Sequence, residues 1–370
     1  MSKRHMLIGS LLMWATITFA AANKPLVYNG DTLPWNTEWK RAQCGTVGKA
    51  LKIPEVSGIA CSRVTPGYIW MQSDDYEDRV VATDEKGQQR YCRIKFSKKI
   101  RWDWEDMSGG VYEGKNYLFI GAFGDNDETD SEYHIVYFEE PAIPETDQDI
   151  TIEPKAIKYI YPEGKLHNAE ALMYDNREQM IYIITKVYYN VCQVFSIPFR
   201  LDYGDEVQTL TYVCDLGVKS DIGVGKYQGK ELAFMGFHLV TGADISPDGK
   251  YILIKNHNNI QAVFSWILLW TREGDESVAE TLKNRTPEPL YCYTYEWQGE
   301  AICWLDSTTF YTTSDSDGEP PIFKYWKGDA QAVEAVKTDR NKDNNLVFVG
   351  NVLYIRNKEG LYSLDGRKVQ

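Results

Sequence analysis

The chain has 370 residues and a formal net charge of −13, from 40 Lys and Arg against 53 Asp and Glu. A surface this acidic argues against nucleic acid and anionic lipid as partners, because both carry negative charge, and it suits the binding of cations. Aromatic residues make up 13% of the chain, enough to fill the core of a large β protein.

The N-terminus has the order of a secretory signal peptide. Lys3-Arg4 comes first, an apolar run from Met6 to Phe19 follows, and Ala20-Ala21-Ala22 offers small residues for cleavage. An uncleaved membrane anchor is the alternative, but the run is short for a span of about 20 residues. We therefore predict a signal peptide over residues 1–22. We expect an exported monomer of the periplasm or the cell exterior, without an integral membrane segment.

A short pattern then recurs five times along the chain, with an oxygen-bearing side chain beside small and apolar residues. A spacing of roughly 50 to 75 residues between copies, with strand-like content, indicates a β-propeller in which each repeat supplies one blade. The copies are Val56-Ser57-Gly58-Ile59, Trp104-Glu105-Asp106-Met107, Ala169-Glu170-Ala171-Leu172, Ala243-Asp244-Ile245 and Gly299-Glu300-Ala301-Ile302.

Each copy precedes a turn signal and two further runs rich in β-branched and aromatic residues, which predict the second and third strands of a blade. Fourth strands are clearer at 208–214 and 290–297, and the Gly-rich segment 217–236 is expected to be a loop. The predicted second strands are 68–72, 117–122, 180–185, 251–255 and 309–313, and the third strands are 79–83, 134–138, 193–198, 262–270 and 321–326.

The predicted fold is therefore all-β, a five-bladed β-propeller over residues 43–327. A six-bladed ring that uses 347–369 is the alternative. A charged, Asn-rich linker at 339–345 precedes a short C-terminal β tail over residues 346–370. This tail resembles the strand module that ends proteins secreted by Bacteroidetes.

Seven cysteines follow the predicted signal peptide, so at least one thiol stays unpaired within a monomer. Cys192 and Cys214 fall on neighbouring predicted strands, and Cys292 and Cys303 flank the junction between the fourth and fifth repeats. Both pairings stay open. The chain has no Cys-x-x-Cys and its His residues are scattered, which argues against zinc and redox sites.

Antiparallel pairing within a blade places the start of the first strand and the end of the second on one face, so one rim gathers most of the unusual polar residues. Four carboxylates that converge there with Ser57 repel each other unless a cation neutralises them, and all-oxygen surroundings favour Ca²⁺. The alternative is that these side chains only accept backbone N–H groups. The predicted metal ligands are Ser57, Glu105, Glu170, Asp244 and Glu300, and the candidate catalytic residues on the rim are Asp75, Asp125, His167, Lys186 and His257.

The motifs resemble those of a widespread, largely uncharacterised family of exported bacterial propellers, over roughly residues 50 to 326. The matching runs are Ser57-Gly58-Ile59-Ala60, Asp103-Trp104-Glu105-Asp106-Met107, Ala169-Glu170-Ala171-Leu172, Thr241-Gly242-Ala243-Asp244-Ile245 and Gln298-Gly299-Glu300-Ala301-Ile302.

More remotely, the layout is similar to the calcium-activated nucleotidases, or apyrases, which are five-bladed propellers with one Ca²⁺ in the central tunnel. That resemblance implies Ca²⁺ ligation by Ser57, Glu105, Glu170 and Glu300, with Asp244 where those enzymes use Ser. Where their third blade carries paired Arg for phosphate, this chain has Thr185-Lys186-Val187. The difference argues against nucleotides as substrates, because Arg forks are the usual clamp for phosphate.

Two functions are consistent with these patterns. One is a Ca²⁺-dependent hydrolase of a small phosphoester, ester or lactone, in which the metal orients water. The other is a non-catalytic binding or scaffold propeller with a structural calcium. In both cases we expect a small-molecule or glycan-like ligand on the rim. The chain has no Gly-x-Ser-x-Gly, Walker or dinucleotide fingerprint.

Overall fold

The structure is a computed structural model, and it divides into two compact units, Met1–Gly328 and Asp329–Gln370. The predicted signal peptide lies outside the described residues. Those are 26–28, 31–34, 36, 38–74, 79–98, 103–130, 132–186, 191–219, 224–227, 230–233, 238–258, 265–290, 296, 298–315, 318–328, 345–349, 352–357 and 360–363.

Five sheets of the first unit form a five-bladed β-propeller, as predicted. Within each sheet the strand nearest the axis is called the inner strand. From the inner strand outward, blade one is Val56–Cys61, Tyr68–Ser73, Arg79–Asp84 and Arg90–Phe96, and blade two is Asp103–Tyr112, Lys115–Gly124, Tyr133–Glu139 and Lys155–Ile160. Blade three is Ala169–Asp175, Met180–Thr185, Cys192–Pro198 and Thr211–Leu216, and blade four is His238–Ile245, Tyr251–Asn258, Ser265–Thr271 and Glu288–Leu290.

Blade five combines the two ends of the ring. Its first three strands are Ile302–Asp306, Thr309–Thr312 and Pro321–Lys327, and its outer strand is Trp39–Thr46 from the start of the ring. The outer strand runs antiparallel to Pro321–Lys327 along its full length. Main-chain hydrogen bonds therefore close the ring at blade five.

Two further strands connect consecutive blades. Gln148–Ile152 lies parallel to the outer strand of blade one, although its segment follows the third strand of blade two. Gln208–Thr209 lies parallel to the outer strand of blade two, although it belongs to the segment of blade three. Blades two and three thus each extend the edge of the blade before them.

The core lies between the blades, and the part of it between blades two and three is rich in aromatic side chains. Between blades two and three, Phe119 stacks on Tyr174 with ring centroids 4.7 Å apart, and Phe199 meets Phe119 edge-on at 4.8 Å. Every residue of the inner strand Ala169–Asp175 is buried. Because both faces of the inner strands are covered, apolar and polar residues do not alternate strictly along these strands.

The predicted second and third strands are confirmed, with ends that shift by three residues at most. The sequence predicts a loop over 217–236, but the described residues of this segment include short strands. Val218–Lys219 pairs with Leu26–Tyr28, which in turn pairs with Asp31–Leu33, and Val224–Tyr227 forms a hairpin with Lys230–Ala233. The prediction missed these strands because Gly-rich composition masked their short alternation.

Helices are few. The α-helix Val278–Asn284 opens with a capping box, in which Ser277 and Glu280 each bond the backbone N–H of the other. Lys49–Leu51 and Pro162–Gly164 are short 3₁₀ turns. Within the described ranges, no helix is long and apolar enough to cross a membrane.

The second unit contains a separate antiparallel sheet of Asn345–Val349, Val352–Asn357 and Gly360–Ser363. The C-terminal tail therefore forms strands, as predicted. The six-bladed alternative is wrong, because the ring closes with five sheets.

Candidate functional site

Four of the five inner strands carry a β-bulge near their start. The bulged positions are Ser57 in blade one, Glu105 with Asp106 in blade two, Glu170 in blade three and Thr241 in blade four. A bulge breaks the strict alternation of a strand and redirects a side chain, which is why bulges recur beside functional sites.

Three glutamates and one lysine meet at this end of the axis, and we call Glu105, Glu170, Glu300 and Lys186 the axial cluster. They come from blades two, three and five, and none is more than 9% exposed. Lys186 Nζ forms an ion pair with Glu170 and lies 3.9 Å from Glu300 Oε1. Side chains from blades that are not adjacent in the ring can meet in this way only at the axis.

Burial and mutual repulsion decide the charge state of the cluster. Burial raises the pKa of Glu105, Glu170 and Glu300, and the charge of Lys186 opposes this rise at each of them. Burial alone would lower the pKa of Lys186, but the three glutamates raise it above its usual value. Lys186 therefore stays charged at neutral pH, while three carboxyl groups compete for its single ammonium group.

A second acidic group borders the axial cluster, and we call Glu55, Asp74 and Asp315 the outer triad. One carboxylate oxygen of each lies within 4.8 Å of those of the other two. Asp315 and Asp74 both raise the pKa of Glu300, so the two groups are electrostatic neighbours. Glu55 has a φ of 48°, in the left-handed region that non-glycine residues rarely adopt.

Asp244, a predicted metal ligand, lies in a different environment. Its carboxylate accepts the Trp304 N–H at 2.8 Å and the Ser108 hydroxyl at 3.1 Å, which ties blade four to blades five and two. Burial raises its pKa to about 6, against the lowering effect of these donors. The structure therefore does not bring Asp244 together with Glu105, Glu170 and Glu300.

Asp244 and Asp106 each connect neighbouring blades by accepting hydrogen bonds from the backbone, and we call them the backbone-bound pair. The second member, Asp106, connects blades two, three and four. Its carboxylate accepts N–H groups from Met107 at 2.8 Å, Leu172 at 2.9 Å and Ala243 at 3.0 Å. These donors belong to blades two, three and four. One buried side chain thus holds three inner strands in register.

Ser57, also a predicted ligand, donates its hydroxyl to the Glu105 carbonyl at 2.5 Å and accepts from Gln72 Nε2 at 3.0 Å. Thr241 repeats this contact in blade four, where its hydroxyl donates to the Gly299 carbonyl at 3.1 Å. The sequence prediction chose Asp244 for blade four and missed Thr241. The signal was available, because Ser57-Gly58 and Thr241-Gly242 are the same hydroxyl–glycine pair.

The two glycines explain why that pair recurs. A Cβ on Gly58 would lie 2.6 Å from the Met107 nitrogen, and one on Gly242 would lie 2.4 Å from the Glu300 carbonyl oxygen. Each inner strand passes so close to the next that a side chain there would collide with backbone.

The second strand residues opposite these glycines are also equivalent. Gln72 pairs with Gly58 and donates to the Glu105 carbonyl at 2.7 Å, and Lys255 pairs with Gly242 and donates to the Ala301 carbonyl at 3.3 Å. Lys255 also forms a fully buried ion pair with Glu296 at 2.5 Å. The sequence prediction missed this pair, since neither residue stands out from its neighbours.

Among the described side chains, Lys186 is the one candidate catalytic residue that belongs to the axial cluster. The Asp125 carboxylate accepts the N–H groups of Thr129 at 2.8 Å and Asp130 at 3.0 Å, and the Tyr133 hydroxyl at 2.8 Å, which organises its own loop. Asp75 lies outside the described residues. His257 pairs through its backbone with Leu239, and its side chain is not among those described.

His167 lies between blades two and three. Its ring packs edge-on against Tyr161 at 4.7 Å and lies 5.4 Å from Phe195, and burial lowers its pKa. It lines a surface pocket of about 260 Å³ with Lys165 and Tyr212. The pocket is separate from the ion pair of Lys186 and Glu170.

No protein-family model matches the chain, and neither does any curated protein sequence. Among solved structures, it is similar to a structural genomics protein of unknown function from Bacteroides thetaiotaomicron, with 10% identity, a TM-score of 0.39, and coverage of 78% of this chain and 76% of that one. It is also similar to the hydrazine synthase of Kuenenia stuttgartiensis, with 10% identity, a TM-score of 0.36, and coverage of 70% and 74%. Likenesses this weak carry no argument about function.

Proposed function

We propose that the chain is an exported, calcium-binding propeller whose ion lies at the mouth of the axis, against the outer triad. The observation that carries this proposal is the convergence of Glu55, Asp74 and Asp315. Ca²⁺ binds oxygen ligands at about 2.3 to 2.6 Å, so two ligands of one ion lie at most about 5 Å apart. Carboxylate oxygens within 4.8 Å of one another meet that limit.

The charges of the axial cluster favour an ion bound at the outer triad over an ion bound beside Lys186. Lys186 already supplies one positive charge beside Glu170 and Glu300. Glu300 interacts with both groups, because Lys186 of the axial cluster lowers its pKa while Asp315 and Asp74 of the outer triad raise it. A divalent ion above Glu300 would favour its ionised form, whereas an ion at the level of Lys186 would face a competing ammonium group.

The role that best fits this geometry is a non-catalytic one, in which the ion braces the mouth and the rim binds a small-molecule or glycan-like ligand. The candidates for acid, base and clamp are engaged elsewhere. Lys186 pairs with Glu170, the Asp125 carboxylate holds its loop, and His167 packs against aromatic rings.

A Ca²⁺-dependent hydrolase is the second candidate, and one observation favours it. Glu300 has a raised pKa and lies beside the residues proposed to bind the metal. Buried carboxyl groups of this kind serve as general acids and bases in many enzymes, where a metal orients the water.

The binding proposal is tested by calorimetric titration of the mature chain with Ca²⁺ and with Mg²⁺, and by thermal melting with and without chelator. We expect Ca²⁺ to bind more tightly than Mg²⁺ and to raise the melting temperature by mass action. Asp74→Asn with Asp315→Asn should abolish both effects. The control is Glu163→Gln, which changes an exposed carboxylate paired with Lys165. Unchanged Ca²⁺ binding in the double variant would exclude the triad.

The hydrolase candidate is tested with nucleotides, phytate, aryl esters and lactones, first with Ca²⁺ and then with chelator. Turnover that requires Ca²⁺ and is lost in Glu300→Gln would establish it. Absence of turnover in the presence of bound Ca²⁺ would leave the binding propeller as the function.

A further inference from the structure

Two cysteine thiols meet across the boundary between blades five and one. Cys61 Sγ lies 3.4 Å from Cys303 Sγ, although the residues are 242 positions apart in the chain. Cys61 is 8% exposed and Cys303 is 1% exposed. Neither Cys61 nor Cys303 is in a disulfide bond in this structure.

Both residues lie on inner strands at the place where the ring closes. Cys61 is the last residue of Val56–Cys61 and pairs with Ile69, and Cys303 is the second residue of Ile302–Asp306 and pairs with Tyr311. Cys61, Cys303, Ile69 and Tyr311 share one hydrophobic cluster. Main-chain hydrogen bonds close the ring within the sheet of blade five, whereas the two thiols lie at the boundary between the inner strands of blades five and one.

We propose that Cys61 and Cys303 are oxidised to a disulfide that joins the inner strands of blades five and one. Each thiol loses a proton, a sulfur–sulfur bond forms between them, and the two electrons pass to a thiol–disulfide oxidant. The disulfide of that oxidant is reduced to two thiols in the same exchange. An S–S bond is about 2.05 Å long, so bond formation requires the two sulfur atoms to move closer together than their present contact.

The other described cysteines fit a disulfide less well. Cys192 pairs with Leu216 and Cys214 with Val194, so these two residues are diagonal neighbours rather than partners. Cys44 Sγ donates to the carbonyls of Glu85 at 3.3 Å and Ile322 at 3.4 Å. The contact between Cys61 and Cys303 is therefore the placement that favours a bond.

Burial determines when the bond forms. Desolvation raises the pKa of the Cys303 thiol well above its usual value, and the thiolate is the reactive form. Oxidation in the finished ring is therefore slow. The bond forms while blades five and one come together, and the packed cluster then shields it from reductants.

The test is peptide mapping of the full mature chain after refolding with a mixture of oxidised and reduced glutathione, with free thiols blocked before digestion. We expect a linked peptide pair that contains Cys61 and Cys303 and separates on reduction. Full blocking of both thiols, or linkage of either one to a different cysteine, would overturn the proposal. This result is independent of Ca²⁺ binding, so it can fail without the proposed function failing.

A second measurement compares melting temperatures with and without a phosphine reductant present during unfolding. The wild type should lose about 5 to 10 °C on reduction, because the cross-link restricts a very long loop of the unfolded chain. The double variant Cys61→Ala/Cys303→Ala should show no such shift, and the control Cys192→Ala/Cys214→Ala should keep it. A reductant shift that persists in the first variant would contradict the assignment. If the first variant does not fold, peptide mapping of the wild type decides.

Discussion

Glu105 and Asp106 are neighbours in the chain, yet they belong to two different kinds of carboxylate site on the axis. Asp106 accepts N–H groups from three blades, and Asp244 accepts an N–H from blade five and a hydroxyl from blade two. Glu105 belongs to the axial cluster, where three carboxyl groups share the ammonium group of Lys186. A carboxylate bound by backbone N–H groups is part of the framework, whereas a carboxylate balanced by a side-chain ammonium group can exchange that partner for another cation. We therefore assign a structural role to Asp106 and Asp244, and we place Glu105 among the residues available for function.

The largest effect is expected where the framework is broken. Asp106→Ala removes the acceptor for three buried N–H groups, which the surrounding strands cannot rebond. We expect a loss of about 3 to 5 kcal/mol in the free energy of unfolding, measured by urea denaturation. Glu105→Gln, one position away, should cost far less, since it removes charge without removing a framework acceptor. Equal losses in the two variants would remove the distinction between the sites.

Lys186→Met should produce the next largest effect. It leaves three buried glutamates without their counterion, and we expect a loss of about 2 to 4 kcal/mol at pH 7 in chelator. Lowering the pH to 5 or adding Ca²⁺ should restore part of this loss, because each neutralises the glutamates. Lys255→Met is the matched control, since Lys255 also pairs with a buried glutamate. Rescue by Ca²⁺ in the control as well would show that the effect is not specific to the axis.

The pH dependence of the wild type follows from the raised pKa values of Glu105, Glu170 and Glu300. Each group binds protons more readily in the folded than in the unfolded chain, whose glutamate pKa is near 4.5. In chelator, stability from this source is therefore present at low pH and is lost as the pH rises from 4.5 through the folded pKa. Saturating Ca²⁺ should flatten the decline. Denaturation curves from pH 4.5 to 8 would reveal it, and a decline unaffected by Ca²⁺ would place the metal elsewhere.

The smallest effect is expected for the hydroxyl bridges. Ser57→Ala and Thr241→Val each remove one hydrogen bond to the next blade, worth about 1 kcal/mol. Because both hydroxyls already donate to a carbonyl, we expect unchanged Ca²⁺ affinity in the two variants. Titration calorimetry measures this, and a tenfold weaker affinity in Ser57→Ala would return Ser57 to the set of metal ligands.

The fold could be predicted from the sequence because strands such as Met180–Thr185 are locally β-branched and aromatic. The meeting of Glu105, Glu170 and Glu300 with Lys186 could be predicted in part, from the repeat and from strand direction. The acceptor role of Asp106 could not, because its donors come from three strands that are distant in the chain. The pairing of the outer strand of blade five could not be predicted either, because its partner strand follows some 280 residues later in the chain.

The first strand of the propeller in the sequence, Trp39–Thr46, is the outer strand of its last blade. During synthesis, Trp39–Thr46 emerges before any blade, and its hydrogen-bonding partner Pro321–Lys327 emerges at the end of the propeller. At about 5 to 20 residues per second, that strand waits about 15 to 60 s for its partner. The strand carries the charged residues Lys40 and Arg41, and its side chains are partly exposed over much of its length. Both features discourage an unpaired strand from pairing with other chains. Ring closure therefore depends on a complete propeller, because a chain truncated before blade five leaves the strand Trp39–Thr46 without its partner.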